Sequence, residues 1–422
     1  MIQQSLNGNF SSVIEPEAML LLATAKVSFR KSELDYLATL IERVSDWDYV
    51  VDTADRKFSA SYLHRALSNF GNEIVPSGAL ERLGKSCNYT RVRAMKVASA
   101  QIAFHKTCIA PLNVSHAYIK GIALSTQFGG QYSDRLCRDI DVLVDEDQFE
   151  EVVLTAFKSG YKVLISPDPL VFATSDNDLK FIAKFPTYAG LIGPEGVLIE
   201  VHRRLDKSSL IFNNREALSS AKSIDFAGFT FNTLDEPLHF AYVCYHHSRH
   251  MWSRLHWLAD INLMLGSNRI CKTDLIDTAN ALGLLPTVEA SITLNEFVND
   301  AATAGEKYRP QGLANDFLSA CLTNLAGDLA LEFELRRELY SHDLMTKSQV
   351  SRNKLKSIAL ANWKDKLRPV PSQYLRNPLP AQLFWLYRIE RPFLNLGQKV
   401  AKSMDKTVVE SEAESRSKIG ID

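Results

Sequence analysis

The sequence contains no long hydrophobic run. Its longest apolar stretch, around Met19–Ala25, falls far below the ~18–20 residues a membrane-spanning helix requires, so a soluble chain is expected. The opening residues, Met1-Ile-Gln-Gln-Ser-Leu-Asn-Gly-Asn-Phe10, lack the basic start and apolar block of a secretory signal, which argues against export and for a cytoplasmic location. Cysteine is sparse: Cys87, Cys108, Cys137, Cys244, Cys271 and Cys321 are scattered without a C-x-x-C pair, which excludes a disulfide framework and favours reduced thiols. An excess of one charge is also missing. With 48 Lys+Arg against 49 Asp+Glu, the net charge is -1, so any anionic partner must be met by a local surface rather than by the chain as a whole. No internal repeat is present.

What is there is globular material: 46% hydrophobic and 23% charged residues in a chain of 422, long enough for two or three domains of the usual ~100–200 residues. Helical spacing of Met19, Leu20, Leu22 and Ala23, then of Leu34, Leu37, Leu40, Ile41 and Val44, predicts a helical region over residues 1–115, with Ser45-Asp46-Trp47-Asp48 supplying capping side chains. Residues 116–235 change texture. Ile140–Val144 reads as a strand, Asp147–Ser159 as a helix ended by Gly160, and Tyr161–Ile165 as the next strand. Phe181–Phe185 and Gly196–Arg203 read as further strands. Helical periodicity returns over 236–404, and the polar, charged residues 405–422 read as a disordered tail. The fold class is therefore α+β, a small mixed-sheet core flanked by N- and C-terminal helical regions.

The most informative segment is Asp139-Ile140-Asp141-Val-Leu-Val144. On a strand, period two sends Asp139 and Asp141 to one face and Ile140, Val142 and Val144 to the other, core-facing side. Two converging carboxylates repel unless a cation neutralises them, and hard oxygen ligands suit Mg²⁺. Taken alone, the pair more often marks a solvated strand end. In Gly196-Val-Leu-Ile-Glu200-Val-His202, Glu200 and His202 share a face and offer a third carboxylate. Upstream, Lys120-Gly121 can open a helix whose N–H groups face a phosphate. Together these are the parts of a two-metal phosphoryl-transfer site. Glu200 is then placed to assist proton removal, His202 to orient it, and Lys120 or Arg135 to neutralise leaving phosphates, though surface charge explains the two cations as well.

These residues resemble a family, the uncharacterised bacterial nucleotidyltransferases of the DNA-polymerase-beta-like superfamily. The family pattern of a Lys-Gly dipeptide, an aromatic, an Arg, Asp-Ile-Asp, a Gly-Tyr pair and an acid-x-His strand reads here as Lys120-Gly121, Tyr132, Arg135, Asp139-Ile140-Asp141, Gly160-Tyr161 and Glu200-Val201-His202. Asp46-Trp47, the segment ending Arg254-Leu255-His256-Trp257-Leu258-Ala259-Asp260 and the Pro-rich close from Pro378 to Lys399 extend the likeness over most of residues 16–400. The Gly-Ser phosphate motif of better-known superfamily members is replaced by Lys120-Gly121-Ile122. The resemblance implies that Asp139, Asp141 and Glu200 bind two divalent metals, Mg²⁺ or Mn²⁺. It further implies that an acceptor hydroxyl attacks the α-phosphate of a nucleoside triphosphate and pyrophosphate leaves. The acceptor stays open among a small molecule, a protein hydroxyl and an RNA end, as does the oligomeric state. A catalytically inactive nucleotide-binding or regulatory protein on the same fold is the alternative.

Other segments carry less. His239, His246 and His250 share a helical stripe with zinc-like spacing, but no Glu or thiolate pair accompanies them. A helix lining the nucleotide cleft, with His250 or Arg254 near phosphate or base, and a histidine cluster that packs domains together are both better readings. Residues 347–376 carry Lys347, Arg352, Lys354, Lys356, Lys364, Lys366, Arg368 and Arg376 against Asp365 alone. That basic patch, with Trp363 and Tyr374 available for base stacking, suits a nucleic acid, though a solvated helix face or an interdomain salt-bridge surface is the commoner meaning of such a run. The aromatic stripe Leu383–Tyr387, with Arg388 and Arg391, is expected to pack against the first helical region rather than touch a membrane.

Overall fold

The computed structural model describes residues 14–71, 74–206, 210–304, 310–325, 352–392 and 394. The tail at 405–422 and residues 347–351 of the basic patch lie outside the described residues. The described residues open with helices α1 (Pro16–Ala23), α2 (Lys31–Ile41), α3 (Trp47–Arg56), α4 (Ala60–Leu67) and the long α5 (Ser77–Phe104). Their starts are written locally: Pro16 takes the first position of α1, where its missing N–H is an orphan anyway. Asp46 Oδ1 caps α3 by accepting the Tyr49 N–H at 2.8 Å.

An eight-stranded mixed sheet follows, made of β1 (His116–Ile119), β2 (Asp139–Val144), β3 (Lys162–Pro167), β4 (Leu170–Phe172), β5 (Tyr188–Ile192), β6 (Leu198–His202), β7 (Lys222–Phe226) and β8 (Phe229–Thr233) in the order β4-β3-β5-β6-β2-β1-β8-β7. β2 runs parallel to β6 and β1 parallel to β8, while the other neighbours are antiparallel. Helices α6 (Gly121–Gln127), α7 (Phe149–Lys158), α8 (Asp176–Lys184) and α9 (Asn214–Ser219) connect the strands. The chain leaves α7 through Gly160 at φ +88, where Tyr161 N–H bonds back to the Ala156 carbonyl at 3.0 Å, a closure that a residue with a Cβ resists. Alternation along β2 divides its side chains as period two requires. Ile140, Val142 and Val144 join Val152 and Val153 of α7 in one apolar cluster, whereas Leu143, on the face of Asp139 and Asp141, joins Ala117 and Phe212 in another.

Phe181–Phe185 is a correction to the strand expected there: residues 176–184 are helix α8. The sequence carries the reason. Ser175 Oγ accepts the Asp178 N–H at 3.2 Å while Asp178 Oδ2 accepts the Ser175 N–H at 2.9 Å, a reciprocal cap that outweighs the aromatic bias toward strand. Leu179, Phe181 and Ile182 then fall on the buried face.

Helices α10 (Glu236–Arg249), α11 (His256–Gly266), α12 (Lys272–Leu282), α13 (Leu285–Ala304), α14 (Leu313–Leu325), α15 (Arg352–Lys366) and α16 (Pro371–Arg376) complete the described chain. The two helical regions share one core: Leu20, Leu40, Val51 and Leu63 pack in the same cluster as Phe240, Leu258, Leu294 and Leu318. Tyr374 of α16 stacks on Phe181 with ring centroids 4.4 Å apart and gives its hydroxyl to Asp178, so it is core rather than a base-stacking platform. Phe384 and Tyr387 likewise take Phe181 of α8 as a ring partner and share one apolar cluster with it and with Val97 and Phe104 of α5, while Trp385 is 54% exposed. α8 offers an aromatic surface that the expected strand would have divided between two faces. Among the described residues, no helix is long and apolar enough to cross a membrane.

Candidate active site

Register decides which acids meet. In the parallel pair β2–β6, Asp141 lies opposite Glu200 and Leu143 opposite His202, so Asp141, Glu200 and His202 project from one sheet face. His202 Nε2 lies 3.0 Å from Asp141 Oδ1 and 3.4 Å from Glu200 Oε2. Ligand atoms of these three residues fall within 4.8 Å of one another, the one such group of potential metal ligands among the described residues. Asp139 stands two residues earlier on the same strand face, half-buried and outside that group.

Lys120 completes the cluster from the α6 entrance. Its Nζ is 3.0 Å from Asp141 Oδ1 and 3.3 Å from His246 Nε2. The backbone that aims it is unusual. Lys120 has φ +60 and ψ −159, a region that a residue with a Cβ adopts only when its surroundings enforce it, and Gly121 follows at φ +47. The enforcing contact is visible: the Lys120 N–H donates to His239 Nε2 at 3.2 Å. His239 Nδ1 in turn faces Gln127 Oε1 at 2.6 Å, and Gln127 Nε2 donates to the Leu234 carbonyl at 2.7 Å, which fixes the ring as a neutral tautomer protonated on Nδ1.

Electrostatics sort the carboxylates. Burial disfavours the charged form of Asp141, but Lys120 and His202 outweigh it and hold its carboxyl below the usual carboxylate range. Asp139 is pushed upward by burial and by the neighbouring Asp141 and Glu200 charges. Burial opposes charge on His202 too, yet its two carboxylate partners raise it to about 9. The arrangement is a compact cluster in which two cationic side chains lean on one aspartate.

The remaining residues singled out from sequence are placed as follows. Arg135 is buried and clamped by Asp260 of α11 through two bonds, Nε to Oδ1 at 2.8 Å and Nη2 to Oδ2 at 2.9 Å. His250 ends α10 with its ring 4.5 Å from that of His246. Arg254 lies with its guanidinium carbon 4.4 Å from the Phe58 ring centroid, and Nη1 donates to the Arg56 carbonyl at 3.2 Å. The stripe of His239, His246 and His250 is not among the potential metal-ligand groups of the described residues. His239 and His246 instead contact Lys120, and burial holds both well below the ordinary histidine range, with help from the Lys120 charge. Asp260 and Tyr188 were not anticipated as neighbours of this site. Asp260 carries no local signal, because its partner is 125 positions away in the chain. Tyr188, 42% exposed with its ring 5.4 Å from His202, is placed there by the β5–β6 register.

The sequence model of a family described as uncharacterised nucleotidyltransferase matches residues 43–299, a span that holds the whole acidic cluster, Lys120 and helices α10 and α11. No curated protein matches the chain.

Proposed function

The chain belongs to the uncharacterised nucleotidyltransferase family, and from that premise we propose that it transfers a nucleoside monophosphate from a nucleoside triphosphate to a hydroxyl acceptor, releasing pyrophosphate, in a reaction dependent on Mg²⁺ or Mn²⁺. The core at 116–235 is read as a DNA-polymerase-beta-like domain of bacterial type, with the helical regions 1–115 and 236–404 forming the acceptor side. The observation that carries this reading is the meeting of Asp141, Glu200 and His202 within 4.8 Å on one sheet face, with Asp139 next along the strand.

The donor set fits a hard divalent cation: carboxylate oxygens from two neighbouring strands, one carboxyl driven upward by burial and by the like charges beside it. Asp139, Asp141 and Glu200 would hold it. Bound there, such a cation spreads the charge developing on the phosphates and lowers the pKa of the attacking hydroxyl. Lys120, held beside Asp141, is assigned to neutralise the leaving phosphates, and Gly121 to let the backbone approach them. Glu200 accepts the proton of the acceptor hydroxyl, and His202 holds Glu200 and Asp141 in position. His250 and Arg254 are assigned to the base or phosphate of the nucleotide, and Arg135 acts by fixing α11 against the loop before β2.

Pyrophosphate release from a nucleoside triphosphate panel, with Mg²⁺ or Mn²⁺ and candidate acceptors, tests the reading. Asp141→Asn is expected to bring release to the uncatalysed background. Unchanged turnover in a folded Asp141→Asn protein would overturn the assignment.

A further inference from the structure

From Arg82 to Ser133 the sequence holds no Asp or Glu. Much of that acid-free segment is α5, whose outer face carries Tyr89, Val92 and Met95 at 65%, 66% and 63% exposure, with Lys96 exposed beside them. Tyr89, Arg93 and Lys96 recur at helical spacing and span about 10 Å of one side of the helix. From there the surface continues toward the acids. Arg93 Nη2 donates to the Arg138 carbonyl at 2.6 Å, and Arg138 is the residue immediately before Asp139. The Arg138 guanidinium lies 5.6 Å from the Phe58 ring centroid, and Arg254 lies 4.4 Å from the same ring. Phe58 is itself held in place, at φ +62 and stacked 5.7 Å from His256. Arg93, Lys96, Arg138 and Arg254 have no salt bridge to an acid among the described residues.

We propose that this ridge, from Tyr89 on α5 through Arg93 and Arg138 to Phe58 and Arg254, binds single-stranded RNA and delivers its end to the acidic cluster as the hydroxyl acceptor. The inference rests on the nucleotidyl-transfer reading and names the substrate class for it. A single phosphate would need the cations gathered around one point. Here they are spread over a ridge, Lys96 and Arg93 on α5 and Arg138 and Arg254 at Phe58, which matches a backbone with repeated charge. The exposed ring of Tyr89 offers a stacking platform to unpaired bases, beside the exposed apolar side chains of Val92 and Met95, the combination that single-strand grooves use. The ridge passes Arg138, the residue immediately before Asp139, where an acceptor must arrive.

The test uses the full chain with a fluorescent single-stranded oligoribonucleotide, read by anisotropy across a salt series. Four phosphate contacts at a slope of about 0.7 each predict roughly a 50-fold loss of affinity between about 50 and 200 mM salt. Arg93→Ala/Lys96→Ala/Arg138→Ala, left with one of the four cations, should lose only about threefold over the same range. Lys96→Gln, at an exposed position, should lower the slope by about 0.7 should the triple variant fold poorly. Tyr89→Ala should weaken binding roughly tenfold. No binding, equal binding by all variants, or preferential binding of anionic phospholipid vesicles or of polyglutamate overturns the proposal. Two parallel readouts, pyrophosphate release and transfer of α-phosphate label to the RNA, separate the layers. Pyrophosphate release without RNA binding or labelling overturns the acceptor assignment alone. RNA binding with no pyrophosphate release from any nucleoside triphosphate overturns the nucleotidyl-transfer reading, and the acceptor role with it.

Discussion

Replacing Asp260 by Ala separates two accounts of Arg135. If this arginine neutralises leaving phosphates, its loss or mispairing should appear in nucleotide affinity. If it fixes α11 against the loop before β2, it should appear in stability. The geometry favours the second. Both groups are buried, with side chains 8% and 1% exposed, and two charge-assisted bonds of 2.8 and 2.9 Å join them. The Asp260 carboxylate also raises the Arg135 pKa against the opposing effect of burial. Two such bonds at about 1.5–3 kcal/mol each agree with the ~3–5 kcal/mol typically lost when one partner of a buried pair is removed. Asp260→Ala leaves a guanidinium whose other side-chain contact is Cys137 Sγ at 3.3 Å, so a destabilisation of about 3–5 kcal/mol is expected. Trp257, on α11 and stacked 4.8 Å from His247, provides a fluorescence probe of urea unfolding in the right place. Arg135→Met/Asp260→Leu, which removes both charges and keeps apolar volume, should recover most of that loss. Once folded, it should bind nucleoside triphosphate as the parent does. The reasoning is refuted if Asp260→Ala shifts stability by less than about 0.5 kcal/mol, or if the double variant is stable but has lost nucleotide affinity.

The other expectations concern the site and its supports. Burial, followed by the Arg135 and Lys120 charges, lowers the folded-state pKa of His239 to about 3 from an ordinary 6.5. Its stabilising contribution is therefore complete above pH ~6.5 and lost as pH falls toward the folded value, by about 1.4 kcal/mol per unit and about 2 kcal/mol at pH 5. His239→Gln should flatten the stability–pH curve in that window, and an unchanged slope would contradict the neutral-ring assignment. Lys120→Ala should weaken nucleoside triphosphate binding far more than binding of the matching nucleoside, measured by calorimetry; equal losses would count against a phosphate role. Tyr374→Phe removes the hydroxyl that bonds Asp178 and Asn177 and should cost about 1 kcal/mol in thermal or urea unfolding without altering RNA binding, whereas a loss of RNA affinity would restore α16 as an interface.

The acid-bearing strand was legible because its chemistry is local. Alternation in Asp139–Val144 states which side chains share a face, and Glu200-Val201-His202 states the same for β6, without knowledge of the partner strand. The register that sets Asp141 against Glu200 is a tertiary fact, and so is the arrival of Lys120 from the next element. Phe181–Phe185 was misread because aromatic β-propensity was weighed without the Ser175–Asp178 cap that starts α8. Arg135 was recognisable as a significant residue, but a sequence of its own neighbourhood cannot supply Asp260. The same holds for the aromatic residues of 374–387, whose burial depends on a helix being where a strand was expected.

The histidine-rich helix is explained by what Lys120 requires. A buried ammonium beside Asp141 needs further acceptors, and an added carboxylate would compete with Asp141 for Nζ while increasing the like-charge repulsion that already raises Asp139. A neutral imidazole accepts a hydrogen bond without bringing a charge. His246 Nε2 does this for Nζ at 3.3 Å, and His239 Nε2 does it for the main-chain N–H at 3.2 Å. Each ring is kept neutral by burial and by the very cations it serves, since protonation would place positive charge against Lys120 and its surroundings. The Nε2 atoms of His239 and His246 are therefore both engaged by the lysine. The same contacts hold Lys120 in its left-handed backbone conformation, so α10 fixes both the position of the site's central cation and its direction toward the acids.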